Sequence, residues 1–265
     1  ADPTTTTEVL ADVQIGTETT QAVVDSSTAI RGDSLYTIVE GPIWFQAEGN
    51  SVDLGGHLVT INNASENTYL HSAFQITTNH LPSYTFDLDL YWTGFTDQRV
   101  EGTWEWISGE ISTYTNWYSG EPNGGSSENY MHLGWHSPLW NDTNSGAFDP
   151  FLQSITIGGI AEIPLSLTTT LPTTIKEGAG EFTINIDLSA GTTSQKHSLV
   201  QGTRIWYTVS GIDSSDLETG YSLQGSGVID ANGNIVVDGA SSAGINLALK
   251  NDGVAETDTL GITFY

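Results

Sequence analysis

The 265-residue chain contains no cysteine. Disulfides, thiolate metal sites and cysteine nucleophiles are excluded together. Lysine and arginine are almost as scarce, 6 in all against 32 aspartates and glutamates, for a formal net charge of −26. The acids are an ordinary fraction of the chain, so the charge comes from missing bases. Most carboxylates therefore lack an ammonium or guanidinium partner; they are solvated, repel one another or bind cations. No basic footprint for nucleic acid is present, and attraction to anionic lipid is not expected. No apolar run reaches 18 residues, so no membrane insertion is expected. The chain does not begin with methionine and shows no signal peptide. It reads as a piece cut from a longer, multi-domain protein.

What is present is aromatic. Eight tryptophans and ten tyrosines, within a hydrophobic content of 37%, give enough apolar surface for packed cores. Residues 1–31 alternate Val and Ile weakly, as a linker or as strand material for a later module. From residue 32 the order is strand, helix, strand, helix. SLYTIVEG is a strand. Pro42 suits the start of a helix whose apolar positions are Trp44, Ala47 and Val52, stopped by Gly55-Gly56. HLVTI is a short strand, and Asn63-Ala64-Ser65-Glu66 caps a second helix. LDLYWTGFTD (88–97) is a dense apolar strand, EGTWEWISGE sets Trp104 and Trp106 on one strand face, and SITIGGIAEI (154–163) closes the region.

Between these lies YSGEPNGGSSENYMHLGWHSPLWND, residues 118–142. Glu121, Asn123, Glu128, Asn141 and Asp142 are three carboxylates and two amides, a hard-oxygen set. Such sets suit Ca²⁺, which takes about 6–8 oxygens. The alternative is a solvated acidic loop. Enzyme readings find little support. His57, His71, His80, His132, His136 and His197 lack zinc-type spacing, and no G-x-S-x-G elbow, phosphate loop or dinucleotide fingerprint occurs.

Residues 34–163 resemble the C-type lectin domain. The matching stretches are WFQAEGNSVDLGGHLVTINNASENTYL, YWTGFTD, EGTWEWISGE, NWYSGEPN, LWND and GIAEI, in the family's order. Ala161 stands where that family has a cysteine, a cysteine-free pattern similar to bacterial members. The resemblance implies a cis Glu121–Pro122 bond and places Glu121, Asn123, Glu128, Asn141 and Asp142 around one calcium. It also implies carbohydrate binding at the ion, with Glu-Pro-Asn going with mannose- and fucose-type sugars. Trp135 and His136 either contact the sugar or pack beneath the loop. Asp97 and Glu101 match positions of an auxiliary calcium, although Gly124 and Asn129 stand where acids are expected.

Past residue 163, seven short strands separated by Gly, Asn and Asp turns give a sandwich pattern. TIKEGAGEFTINI, GTRIWYTVSGIDSSDLETG and NDGVAETDTLGI resemble the Calx-β/immunoglobulin-like modules of large secreted RTX-type bacterial adhesins. Glu177, Asp216, Asp252 and Glu256 sit at loop ends, where such modules hold metal; equally, they read as ordinary turn acids. The expected architecture is an N-terminal segment (1–31) that is either a linker or strand material for the C-terminal module, an α+β C-type lectin-like domain (32–163) and an all-β sandwich (164–265). The expected function is calcium-dependent binding of cell-surface glycans by a non-enzymatic bacterial adhesin, extracellular and active in cell adhesion or biofilm. The alternative is a protein- or peptide-binding module with a purely structural calcium.

Overall fold

Apolar runs and their punctuation divide the chain into elements that assemble as two units. The computed structural model describes residues 12–15, 22–25, 28–76, 90–136, 138–146, 156–170, 175–192, 197–251 and 260–264. A terminal unit comprises Ala1–Val24, Arg31–Asp33 and Leu165–Tyr265, and a central unit comprises Asp25–Ile30 and Ser34–Pro164. The N-terminal residues contribute the strands β1 (Asp12–Ile15) and β2 (Ala22–Asp25).

In the central unit, β3 (Thr28–Arg31) and β4 (Ser34–Glu40) precede helix α1 (Trp44–Asp53). The helix buries Trp44, Ala47 and Ser51. Val52, read from the sequence as part of that face, is instead 47% exposed. Helical spacing explains the correction, since positions i, i+3 and i+7 share one stripe. The short strand β5 (His57–Leu58) leads to α2 (Ala64–Ala73), whose Asn63 side chain accepts the Glu66 N–H at 2.9 Å. This cap satisfies one of the free N–H groups of the first turn.

Then come β6 (Leu90–Thr96), β7 (Glu105–Trp106), β8 (Tyr130–His136), β9 (Leu139–Thr143) and β10 (Thr156–Thr170). The sheet runs β3-β4-β10-β6-β8-β9, with β5 against β10 and β7 against β6. Every residue of β6 is buried, as a strand covered on both faces should be. Trp104 lies just before the two-residue β7, and its ring and that of Trp106 both pack on Phe95, with centroids at 5.3 and 4.3 Å, as the alternation suggested. Trp117 and Trp140 complete this cluster, and Trp140 is fully buried.

PLSLTTT, taken from the sequence as a strand of its own, continues β10 without a break. Pro164 removes one donor, but the next N–H, of Leu165, reaches Asp33 O at 2.8 Å and the ladder resumes. In the terminal unit follow β11 (Glu181–Ala190), β12 (Arg204–Ser210), β13 (Gln224–Ile229), β14 (Ile235–Val237), β15 (Ile245–Ala248) and β16 (Gly261–Phe264). One sheet has the order β1-β16-β12-β13-β14. Its β1 runs parallel to β16, with Asp12 opposite Gly261. In the other sheet β11 pairs with residues 165–170 of β10 and with β15. Alternate residues of β11 and β12 point inward, among them Phe182, Ile184, Ile186, Ile205, Tyr207 and Val209. Apart from one 3-10 turn at Ser214–Asp216, the regular elements of its described residues are strands.

Candidate functional site

The loop of residues 118–128 is held from below by the aromatic cluster. Trp117 forms an isolated parallel bridge with Trp140 of β9. Around it Trp140 N–H donates to Asn116 O and Tyr118 N–H to Trp140 O, each at 2.9 Å. The indole of Trp140 donates to Asn67 Oδ1 of α2 at 2.7 Å, and the Asn67 amide in turn donates to Pro138 O at 3.1 Å. The loop therefore starts from a rigid floor rather than from solvent.

Above that floor the Glu121–Pro122 peptide bond is cis. The next two amides point down onto β9. Asn123 N–H lies 3.2 Å from both oxygens of Asp142, and Gly124 N–H lies 3.4 Å from its Oδ2. Asp142 is 1% exposed, and these backbone donors reach its carboxyl oxygens. Glu128 folds back over Gly124 after a 3-10 turn at Gly125–Ser127. A Cβ on Gly124 would lie 2.2 Å from Glu128 Cγ and Oε2, so the approach requires glycine.

The carboxylates perturb one another. Glu121 is pushed up to about 7, first by burial, then by a hydrogen bond with the Asp142 carboxylate and by the charges of Asp142 and Glu128; a hydrogen bond from Asn123 acts the other way. Glu128 is also raised, by burial and then by Asp142. Glu121 Oε2 is buried with no hydrogen-bond partner. A buried carboxylate oxygen without a partner is costly. Neighbouring acids that raise the pKa values of Glu121 and Glu128, with no basic side chain among the causes, are the chemistry that a divalent cation relieves.

The structure thus brings Glu121, Asn123 and Asp142 together and sets Glu128 beside them. Asn141 neighbours Asp142 on β9, but its amide is turned inward, donating to Asp142 O at 2.6 Å and lying 3.3 Å from His132 Nε2. Among the described residues no three His, Asp or Glu side chains converge as a metal-type group.

Residues 43–152 match the family model described as Lectin C-type domain. Over this segment the chain is similar to the C-type lectin domain. Among its relatives, the perlucin-like protein of Mytilus galloprovincialis is 29% identical over 106 residues, 39% of this chain and 63% of that protein. Hepatic lectin of Gallus gallus is 29% identical over 114 residues, 42% of this chain and 49% of that protein. The chain spans less than two thirds of the length of these curated relatives. Among solved structures, the mouse scavenger receptor C-type lectin carbohydrate-recognition domain is 26% identical, covering 45% of this chain and 85% of its own, with a TM-score of 0.38.

Within the same segment the second candidate pair is less complete. Asp97 is buried and clamps a turn, its Oδ2 accepting Gly102 N–H at 2.8 Å. Its Oδ1 is buried without a partner. Glu101 is exposed, with Oε1 3.8 Å from where a Cβ on Gly125 would stand. Trp135 and His136 lie on β8, and their side chains fall outside what is described. In the terminal unit Asp216 caps its own turn, accepting Asp213 N–H at 2.7 Å, and its carbonyl accepts Lys250 N–H at 2.8 Å. Glu177 lies in the loop beside Gly178, whose N–H donates to Leu249 O. Asp252 and Glu256 lie outside the described residues. His132, which no sequence motif marks, is buried on β8 directly opposite Asn141, its Nε2 3.3 Å from the Asn141 amide.

Proposed function

We propose that the C-type lectin domain binds sugars through one calcium ion held by Glu121, Asn123, Glu128, Asn141 and Asp142. The observation that carries this reading is the buried, partnerless Glu121 Oε2 beside the Asp142 carboxylate, with Asn123 in the same loop. The name of the hepatic lectin relative supports a carbohydrate ligand. A bound calcium supplies open coordination positions for two vicinal hydroxyls. The chain's own groups do the rest. Carboxylate oxygens of Glu121 and Glu128 accept from those hydroxyls, and the amides of Asn123 and Asn141 donate to them. Asn141 must first release Asp142 O, a local rearrangement of one side chain. The Glu-Pro-Asn order supports mannose- and fucose-type sugars.

The terminal unit, which we read as a Calx-β/immunoglobulin-like sandwich, presents this domain within a longer secreted chain. The charge of −26 and the absence of cysteine support the reading of a calcium-rich extracellular setting, a bacterial cell-surface adhesin that attaches to glycans. It is a binding module rather than an enzyme. A single shallow site of this kind binds a monosaccharide on the order of millimolar, about −4 kcal/mol, so useful adhesion relies on many copies.

A glycan array probed with calcium and with EDTA tests the reading. Mannose- and fucose-terminated glycans are expected to bind only with calcium, and the Glu121→Gln/Asn123→Asp double variant to lose them. Binding that survives EDTA or the double variant overturns it. A calcium-stabilised protein that takes no glycan would instead support the protein-binding alternative.

A further inference from the structure

Three polar groups meet inside the central unit, away from the loop of residues 118–142. The Tyr36 hydroxyl of β4 lies 2.6 Å from Glu66 Oε1 of α2 and 3.1 Å from Glu162 Oε1 of β10. Tyr36 and Glu66 are buried, at 2% and 3% exposure. Each carboxyl is also anchored at its second oxygen. Glu66 Oε2 accepts Asn62 N–H at 2.7 Å, and Glu162 Oε2 accepts Thr60 N–H at 3.1 Å. Neither side chain can swing away without orphaning a backbone donor.

The proton count does not close with both acids ionised. A phenol has one hydrogen to donate. Burial, followed by the charges of Glu162 and Glu66, raises the Tyr36 pKa far above its ordinary value, so the hydroxyl keeps that hydrogen. The shorter contact assigns the hydrogen to Glu66. Glu162 Oε1 then faces the lone pairs of the tyrosine oxygen. Two acceptors at 3.1 Å repel unless one carries a hydrogen. Both contacts are attractive only when one of the two carboxyls carries a hydrogen, and the shorter backbone bond accepted by Glu66, 2.7 Å against 3.1 Å, assigns that hydrogen to Glu162, which then donates to Tyr36.

We propose that Glu162, Tyr36 and Glu66 form a proton-held latch tying β10 to β4 and α2, closed while Glu162 keeps its hydrogen and loosened when it is lost. The strand it holds is the one that carries Ala161, so the tie is non-covalent. The titratable groups facing Glu162 are Tyr36 from β4, Glu66 from α2, His57 from β5 and Glu110 from the loop after β7. His57 stands opposite Glu162 in the ladder, and its ring bonds Glu48 Oε1 of α1 at 2.7 Å. Glu110 is held by the Asn62 amide at 3.1 Å. None of these is lysine or arginine.

The electrostatics agree with the geometry. Glu162 is raised to about 7 by burial and then by Glu66, with a smaller push from Glu110; the Ser34 and Thr60 hydrogen bonds act the other way. A carboxyl whose folded pKa is raised stabilises the fold fully below its unfolded value. That contribution is lost as pH rises through the folded value. The latch is therefore closed in mildly acidic conditions and opens from neutral pH upward.

The test uses the whole chain. Side-chain carboxyl ¹³C resonances are followed from pH 4 to 9, with Glu162 assigned by the signal that Glu162→Gln removes. A titration near pH 7 is expected for Glu162. Urea unfolding in EDTA should show the folding constant of the wild type falling by up to about tenfold per pH unit between pH 5 and 7. Glu121 titrates in the same range, so the reading is the difference from Glu162→Gln, whose amide keeps both hydrogen bonds and should flatten the slope by that share. A Glu162 titration near its ordinary 4.5, or an unchanged slope in Glu162→Gln, overturns the proposal. If the variant fails to fold, the Glu162 carboxyl is assigned in the wild type through its through-bond connectivity to the backbone, and that titration decides alone.

Discussion

Asp142→Ala separates the backbone clamp seen at this side chain from the calcium-ligand role proposed for it. In the ion-free protein the carboxylate accepts from Asn123 and Gly124 at 3.2–3.4 Å. Removing a charged acceptor and stranding such donors costs about 1–3 kcal/mol. The long contacts place the loss at the low end. A second effect opposes it, because the variant also removes the charge that repels Glu121 and Glu128. Without calcium the net loss is expected to be about 1 kcal/mol. With calcium at a hundredfold excess over its dissociation constant, the wild type gains about 2.7 kcal/mol from binding. A variant lacking one of three carboxylates forfeits most of that gain. Urea unfolding of both proteins, in EDTA and in calcium, measures the two gaps. The gap should widen by about 2 kcal/mol on adding calcium. An equal gap in both conditions would refute Asp142 as a ligand and leave it a structural clamp only.

Trp140→Ala should destabilise the central unit by about 3–5 kcal/mol by urea unfolding, since it empties the floor of the loop. It also strands the Asn67 amide oxygen, which favours the upper end. Gly124→Ala keeps an allowed backbone, with φ −80, but drives Glu128 off its perch. It should weaken calcium binding in calorimetry while changing stability in EDTA by less than about 1 kcal/mol. In the ion-free protein the Glu121 carboxyl should titrate near 7 by ¹³C NMR, and in Asp142→Asn it should move down toward the ordinary range. Because its folded pKa is raised, its contribution to ion-free stability is full in acid and is lost as pH rises through 7.

Much of the fold was legible because local signals agreed. Asn63 and Glu66 announced α2, the dense apolar run 88–97 announced β6, and short runs between Gly, Asn and Asp turns announced β11 and β12. The failures were places where tertiary structure overrides a local cue. Val52 was chosen by rough spacing, but three-dimensional phase gives the buried place to Ser51. PLSLTTT reads as a strand of its own, yet the single donor missing at Pro164 does not stop a ladder whose next N–H finds a partner. At the site, the residues of the calcium set were visible as chemistry, but their present arrangement was not. Regular pairing outward from the β8–β9 turn would set Gly134 opposite Asn141. The register shifts between His132 and His136, and His132 takes that place. No one-dimensional pattern encodes such an irregularity. The Tyr36–Glu66–Glu162 contact was equally hidden, since its members lie 30 and 126 residues apart from Tyr36.

The most direct measurement is a crystal structure of the chain soaked with calcium and a mannoside, using anomalous scattering to locate the ion. One calcium is expected, bound by oxygens of Glu121, Asn123, Glu128, Asn141 and Asp142, with two vicinal sugar hydroxyls on its outer side. No ion at Glu121 and Asp142 under saturating calcium, or a sugar bound elsewhere, would contradict the account.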